Sequence, residues 1–477
     1  MALGDLACCN GDTMEERHPR RPIFASVESG RSSVARQATV ITLAPPRISP
    51  ETATVTGASR RHRIYVVTLA AVLAVGIFLR LPPELFHTSA GPLHSLAPIH
   101  PKPNDETGGY DERLYEAYAK AISSIGLNHY PEIVRKYIER QKTLSGSILP
   151  PLRFLYIFLT YVWHTVFGTQ ERTALHYLSS VFSILTLLLS TFFASRLGRQ
   201  GYALGIAALM AIAPTQLHMS QHGLIDGFFT FWATLTLWSL WENLQKPGDR
   251  RWLGLYVFAL CAIVLTKENA FFVWVAVVGI IIANRWLGFG FVTRELIIAT
   301  FVGPFIGVVT LIWLAGGVAT LIETYHLSVT KNYTLDYAIA TGDGPWHRYL
   351  VDLLLVSPLV LLLAVGALFT IRKEQKLEWF LILFVGVSYA VMCNIKYGMN
   401  LRYGNMWDLP LRLLAFSQLF ALSRILCRGR SWVVIAATTA LCLIEFHQYI
   451  VLAVRFPLYE LATQYLVSAL KIVKLVQ

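Results

Sequence analysis

Long apolar runs separated by short polar loops recur along this chain from Ile64 to Leu452. The runs are Ile64–Leu81, Ala174–Ala194, Tyr202–Leu217, Gly227–Trp241, Trp252–Leu265 and Ala270–Ala283, followed by Leu296–Leu314, Tyr349–Thr370, Trp379–Cys393, Trp407–Leu426 and Trp432–Leu452. Backbone polar groups in hydrocarbon must be satisfied within their own segment, so such runs predict helices. The pattern therefore predicts an all-α polytopic membrane protein with about eleven transmembrane helices. One further apolar run, Leu149–Gly168, is set apart. Its uninterrupted part, Phe154–Phe167, has the length of an interfacial segment and carries Tyr156, Tyr161, Trp163 and His164, side chains suited to the headgroup boundary.

Charge supports leaving that run out of the count. With the N-terminus inside, every second loop falls inside, and those loops hold Arg196 and Arg199; Lys246, Arg250 and Arg251; Arg285 and Arg294; Arg372, Lys373 and Lys376; and Arg424, Arg428 and Arg430. This is the positive-inside bias, and counting Leu149–Gly168 as a span would reverse it. The first external region then runs from 82 to 173. Within it "DERLYEAYAKAISSIG" puts Leu114, Tyr118, Ile122 and Ile125 on one helical face, with Glu112 and Glu116 on another. "PEIVRKYIERQ" does the same with Ile133, Tyr137 and Ile138.

Composition agrees: 55% of the 477 residues are hydrophobic and 15% charged, with a mean hydropathy of +0.50. A soluble chain would hold about a quarter charged residues. The net charge of +12 then reads as membrane topology rather than a nucleic-acid footprint. The six cysteines lack the paired spacing of a zinc or redox site. Residues 1–63 read as a basic, disordered cytoplasmic tail, 64–453 as the membrane domain, and 454–477 as a short external segment.

On this topology one membrane face collects carboxylates and cations from four loops. Asp111 and Glu112 follow the first span; His218, His222 and Asp226 lie between the third and fourth. Lys267 and Glu268 lie between the fifth and sixth, and Lys396, Arg402, Tyr403 and Asp408 between the ninth and tenth. Structural alternatives stand beside each. Asp111 and Glu112 could start a helix, Asp226 could cap one, and Lys267 with Glu268 could form a loop ion pair. His218 and His222 are spaced i, i+4 without an evident third metal ligand.

These residues sit in recognisable surroundings. "YDERLYEAYAKAI", "LPPLRFLYIFLTYVWHTVFG", "ERTALHYLSSVFSILTLLL", "APTQLHMSQHGLIDGFFTFWATL", "LTKENAFF" and "LRYGNMWDLPLRLLAF" follow one another in an order and spacing that resembles the GT-C membrane glycosyltransferases, in the branch of protein O-mannosyltransferases and lipid A aminoarabinose transferases. The resemblance covers roughly Ile64 to Leu452. It implies sugar transfer from a polyprenyl- or dolichyl-phosphate donor to a protein, lipid or glycan acceptor on the outer face, with inversion by direct displacement. It implies Asp111 as the base, with Glu112 and Asp226 supporting it. Arg402, Lys267 and Arg153 would bind the donor phosphate, and Glu268, His222 and Tyr403 are further candidates. No cofactor is required; a divalent ion is not indicated, though Asp226 could help bind one. One departure stands out: the aminoarabinose-transferase branch has a lysine before Pro-Pro-Leu, and here that position is Leu149, so that either Arg153 takes over phosphate contact or the donor differs. The setting implied is a bacterial plasma membrane, or the endoplasmic reticulum in a eukaryote. The competing class is a sugar-lipid transporter or flippase, which inverted repeats and broken mid-membrane helices would favour.

Overall fold

The computed structural model describes residues 55–455 apart from 90, 103–108, 200, 343 and 397–398, and without the side chains of 55–61, 337, 340 and 341. The tail expected over 1–63, up to residue 54, and the C-terminal segment from 456 lie outside the described residues. The described residues form helices and no strands. In chain order these are α1 (Val55–Phe78), α2 (Glu84–His87), α3 (Tyr110–Ile125), α4 (Tyr130–Thr143), α5 (Phe154–Phe167), α6 (Glu171–Arg196), α7 (Tyr202–Ala211), α8 (Pro214–Ser220), α9 (Ile225–Gln245) and α10 (Arg250–Thr266). They continue as α11 (Ala270–Leu287), α12 (Arg294–Ala315), α13 (Val318–Asn332), α14 (Asp336–Gly342), α15 (Arg348–Val356), α16 (Pro358–Thr370), α17 (Lys376–Met392), α18 (Asp408–Cys427) and α19 (Ser431–Tyr449).

Each expected span is helical, and two are broken by proline. Pro214 follows the end of α7, and α8 departs from it by 55°. Pro358 opens α16 just after Ser357, so Tyr349–Thr370 is two helices rather than one, since proline lacks the N–H that would continue the ladder. Five described helices are long and apolar enough to cross a membrane, or six if α7 and α8 form one bent span. The other expected spans are helices that fall short in length or apolarity. The chain is a multi-pass membrane protein. Helix α5 has 14 residues, about 21 Å at 1.5 Å per residue, which is shorter than a bilayer core of about 30 Å.

The bundle packs small polar side chains among its apolar core and also turns large apolar side chains outward. Ser179, Ser180, Ser183, Thr186 and Ser190 line the buried face of α6, while Phe258, Trp286, Phe305, Trp313 and Phe369 are exposed. Apolar side chains facing outward and small polar ones packed between helices suit lipid as the outer solvent. Close approach of α10 and α12 needs Gly303 and Gly307: a Cβ on Gly303 would lie 2.7 Å from the Leu260 Cβ, and one on Gly307 2.8 Å from the Val264 Cβ.

The two ends of the bundle are tied differently. At one end Arg196 pairs with Glu242, Arg199 with Glu378, and the Gln245 side chain donates to the Phe289 carbonyl at 2.7 Å. The start of α9, about 24 Å from Glu242 along the helix, lies at the other end. That end carries the paired amphipathic helices of the first long loop. Ile133, Tyr137 and Ile138 of α4 are buried as the pattern predicts, and α4 is bound to α13 by a Lys142–Glu323 pair of 2.6 Å. Helix α3 is rotated from expectation: Glu112 shares its buried face with Tyr115, Ala119 and Ile122, while Leu114 and Tyr118 are only half-buried. Polar partners from neighbouring helices cause that rotation.

Candidate active site

Helix α3 begins with Asp111 and Glu112, and the two acids diverge. Asp111 Oδ2 accepts from Arg402 Nη1 at 3.1 Å and keeps about a quarter of its side chain exposed. Glu112 turns inward, where Oε1 accepts the Gly223 N–H at 2.7 Å, and His176 Nε2, His222 Nδ1 and Arg172 Nη2 lie 3.5, 3.6 and 3.9 Å from its oxygens. Burial pushes the Glu112 carboxyl up, but His176 and His222 outweigh it and hold the group well below the usual carboxylate range. A side chain on Gly223 would press on Glu112, His176 and Leu175, each 3.2 Å from its Cβ, so glycine permits this contact. Glu112 thereby binds α3 to the turn that opens α9.

Asp226 stands in the first turn of α9, where the helix dipole favours an anion. Its Oδ1 accepts from Lys267 Nζ at 2.6 Å, and both side chains are almost fully buried. The Lys267 ammonium also lies 4.0 Å from the centre of the Tyr403 ring, a cation–π contact. Burial, reinforced by Arg153 and only partly offset by Asp226, pulls the Lys267 pKa below its usual value. Burial also pushes the Tyr403 phenol up to about 12, so the ring stays neutral beside the ammonium. Asn400 fixes this turn by accepting the Arg402 N–H at 3.0 Å.

Arg153 stands at the entrance to α5. It holds Glu268 in a two-point clasp, Nε to Oε2 at 3.2 Å together with an Nη2–Oε1 contact, and its Nη1 donates to the Tyr115 hydroxyl at 2.6 Å. Tyr115 is one turn beyond Asp111 on α3. The contacts therefore close a ring: Asp111 to Arg402, its neighbour Tyr403 to Lys267, its neighbour Glu268 to Arg153, and Arg153 through Tyr115 back to the helix of Asp111. Asp226 enters the ring at Lys267. Among the described residues, three cations face three carboxylates, brought by the first loop, the start of α9, the α10–α11 turn and the segment before α18.

Some expected members stand elsewhere. Asp408 belongs to a separate buried network in the bundle, accepting from Arg412 Nη1 at 2.5 Å and Gln216 Nε2 at 2.7 Å, with Arg412 reaching Glu445 at 2.8 Å. Lys396 is exposed. His218 is buried, its ring centre 4.7 Å from that of His222. Sequence reasoning missed Tyr115, Glu84 and His176. His176 joins Glu84 to Glu112, and its i, i+4 relation to Arg172 was the one available hint. No described group of three or more His, Cys, Asp or Glu residues forms a metal cluster.

Residues 115–329 match the family model described as dolichyl-phosphate-mannose-protein mannosyltransferase. That segment holds Arg153, His222, Asp226, Lys267 and Glu268, while Asp111, Glu112, Arg402 and Tyr403 lie outside it. No curated protein matches the chain significantly. Among solved structures, the oligosaccharyltransferase of Archaeoglobus fulgidus is similar over 84% of this chain and 56% of its own, at 12% identity and a TM-score of 0.50. ArnT from Cupriavidus metallidurans is similar over 85% of this chain and 76% of its own, at 14% identity and a TM-score of 0.46. At such identities the likeness speaks for the fold alone. The family segment covers residues 115–329, under half of the chain, and with the fold it supports a GT-C membrane glycosyltransferase.

Proposed function

We propose that this chain transfers a sugar from a polyprenyl-phosphate donor to an acceptor hydroxyl or phosphate, with inversion, at the ring of charges between Asp111 and Arg153. The observation that carries the reading is the ring itself. It offers three cations for a phosphate leaving group and, besides the Glu268 carboxylate clasped by Arg153, a partly exposed carboxylate, Asp111, for the acceptor proton. The description of the matching family, which names a dolichyl-phosphate sugar, supports a lipid-phosphate donor.

In the step proposed, the acceptor oxygen forms its bond to the anomeric carbon as the bond from that carbon to the phosphate oxygen breaks. The acceptor proton passes to Asp111, and the electron pair leaves with the lipid phosphate. Arg153, Lys267 and Arg402 stabilise the developing negative charge from fixed positions, which is where electrostatic catalysis is most effective. Asp226 holds Lys267 in place, and Glu112 holds α3 against the turn before α9. The site faces outward and the N-terminus lies inside, because the ends bearing Arg196, Arg250, Arg285 and Arg294 carry the inward charge bias. The plasma membrane of a bacterium is the setting proposed.

Purified protein incubated with a panel of polyprenyl-phosphate sugars and candidate acceptors tests this directly. Transfer from at least one such donor is expected. Movement of a sugar-lipid across vesicles with no transfer from any donor would overturn the reading in favour of a flippase.

A further inference from the structure

We propose that Glu268 is the resident counter-anion of the donor-phosphate site: it occupies Arg153 in the empty enzyme, yields to the donor phosphate, and returns to help expel the lipid-phosphate product. The proposal rests on the functional reading above and assigns Glu268 a role within it.

The clasp between Arg153 and Glu268 has two unequal partners. The Arg153 side chain is 6% exposed, whereas that of Glu268 is 45% exposed. The anion is thus the partner with a route to solvent. Arg153 keeps a second anchor, the Tyr115 hydroxyl at 2.6 Å, so its guanidinium stays in place when Glu268 swings away. The residue before Glu268 is fixed: Lys267 is held by Asp226 at 2.6 Å and by the Tyr403 ring. Movement is therefore confined to the Glu268 side chain.

Geometry and charge both suit an exchange. A carboxylate and a phosphate present two oxygens to a guanidinium in the same fork. With Glu268 seated, the described acids Asp111, Asp226 and Glu268 stand against Arg153, Lys267 and Arg402. A sugar phosphodiester carries one negative charge, so exchanging it for Glu268 leaves the net charge unchanged, whereas adding it beside Glu268 would set two anions against the one Arg153 guanidinium. Transfer changes this count. When the bond from the anomeric carbon to the phosphate oxygen breaks, the lipid phosphate becomes a monoester with a charge of about −1.5 to −2 at pH 7 and binds the cations more strongly. A carboxylate tethered beside Arg153 competes with that product at high effective concentration.

The test compares wild type with Glu268→Gln, which keeps the shape and an acceptor oxygen for Arg153 but removes the charge. Inhibition by undecaprenyl phosphate, donor KM and kcat are measured together on the full chain in detergent. The expected result is an inhibition constant at least fivefold lower, a lower KM and a lower kcat, with product release rate-limiting. Glu268→Asp, which retains the charge on a shorter arm, should move the same way by a smaller factor and serves if Glu268→Gln does not fold. A residue that merely positions Arg153 would give the opposite signs, with KM and the inhibition constant both rising, and that result overturns the proposal. A wild type that binds undecaprenyl phosphate while neither variant binds it more tightly overturns this inference alone. A wild type that neither binds it nor transfers sugar overturns the donor reading as well.

Discussion

Asp226 and Lys267 form the buried pair on which the charge ring depends, and severing it should cost several kcal/mol. The two groups are 2.6 Å apart and almost wholly buried. Their Coulomb attraction is about 6 kcal/mol at an effective dielectric of about 20, before desolvation is subtracted. Removing one partner from such a pair typically destabilises by about 3–5 kcal/mol. A second bound agrees. An orphaned Lys267 can shed its proton, and for an amine of ordinary pKa 10.5 that costs at most about 5 kcal/mol at pH 7. Asp226→Leu and Lys267→Met alone should thus each lose about 3–5 kcal/mol. The double variant, with no buried charge left at this position, should lose only about 2 kcal/mol, so two single losses that sum to about 6–10 kcal/mol give a coupling of about 4–8 kcal/mol. Unfolding free energies of all four proteins in one detergent provide the assay. A single Asp226→Leu within about 1 kcal/mol of wild type would refute the reasoning, as would a double variant that loses the sum of the singles.

Two further outcomes follow from the packing of the outer helices and the bundle. Glu112 titrates well below its ordinary 4.5, so its contribution to stability is complete above that value and disappears as pH falls through the depressed folded value. Wild type should accordingly lose stability below about pH 4.5, and Glu112→Gln, already less stable at pH 7, should show a shallower acid limb in thermal scans; equal slopes would refute this. Gly303→Leu should push α12 off α10, because its Cβ alone would meet the Leu260 Cβ at 2.7 Å. A loss of about 1–3 kcal/mol is expected by the same unfolding assay, and an unchanged stability would show that the helices have room to part.

Much of this architecture was legible in the hydrophobic pattern, because a membrane helix announces itself by its own composition. The amphipathic face of α4 was equally clear from Ile133, Tyr137 and Ile138. The pattern failed where partners distant in sequence decide the outcome. Glu112 looks like a solvent-facing acid by periodicity, yet the Gly223 N–H and two histidines draw it inside. Asp408 looked like a loop acid beside Arg402, but its i, i+4 neighbour Arg412 and the distant Glu445 carry it into the bundle. Tyr115 could not be distinguished from any apolar helix position until Arg153 was seen against its hydroxyl. Conversely, counting spans sets these four loops on one face, and their side chains do meet, Asp111 with Arg402 and both Asp226 and Tyr403 with Lys267.

The central claim is that Asp111 accepts the acceptor proton while the cations around it hold the donor. The most direct measurement is single-turnover sugar transfer by purified Asp111→Asn beside wild type, with donor binding measured in parallel. Loss of a general base predicts a rate lower by about 10²–10⁴-fold with the protein folded and the donor still bound. Transfer by Asp111→Asn at the wild-type rate would contradict the account.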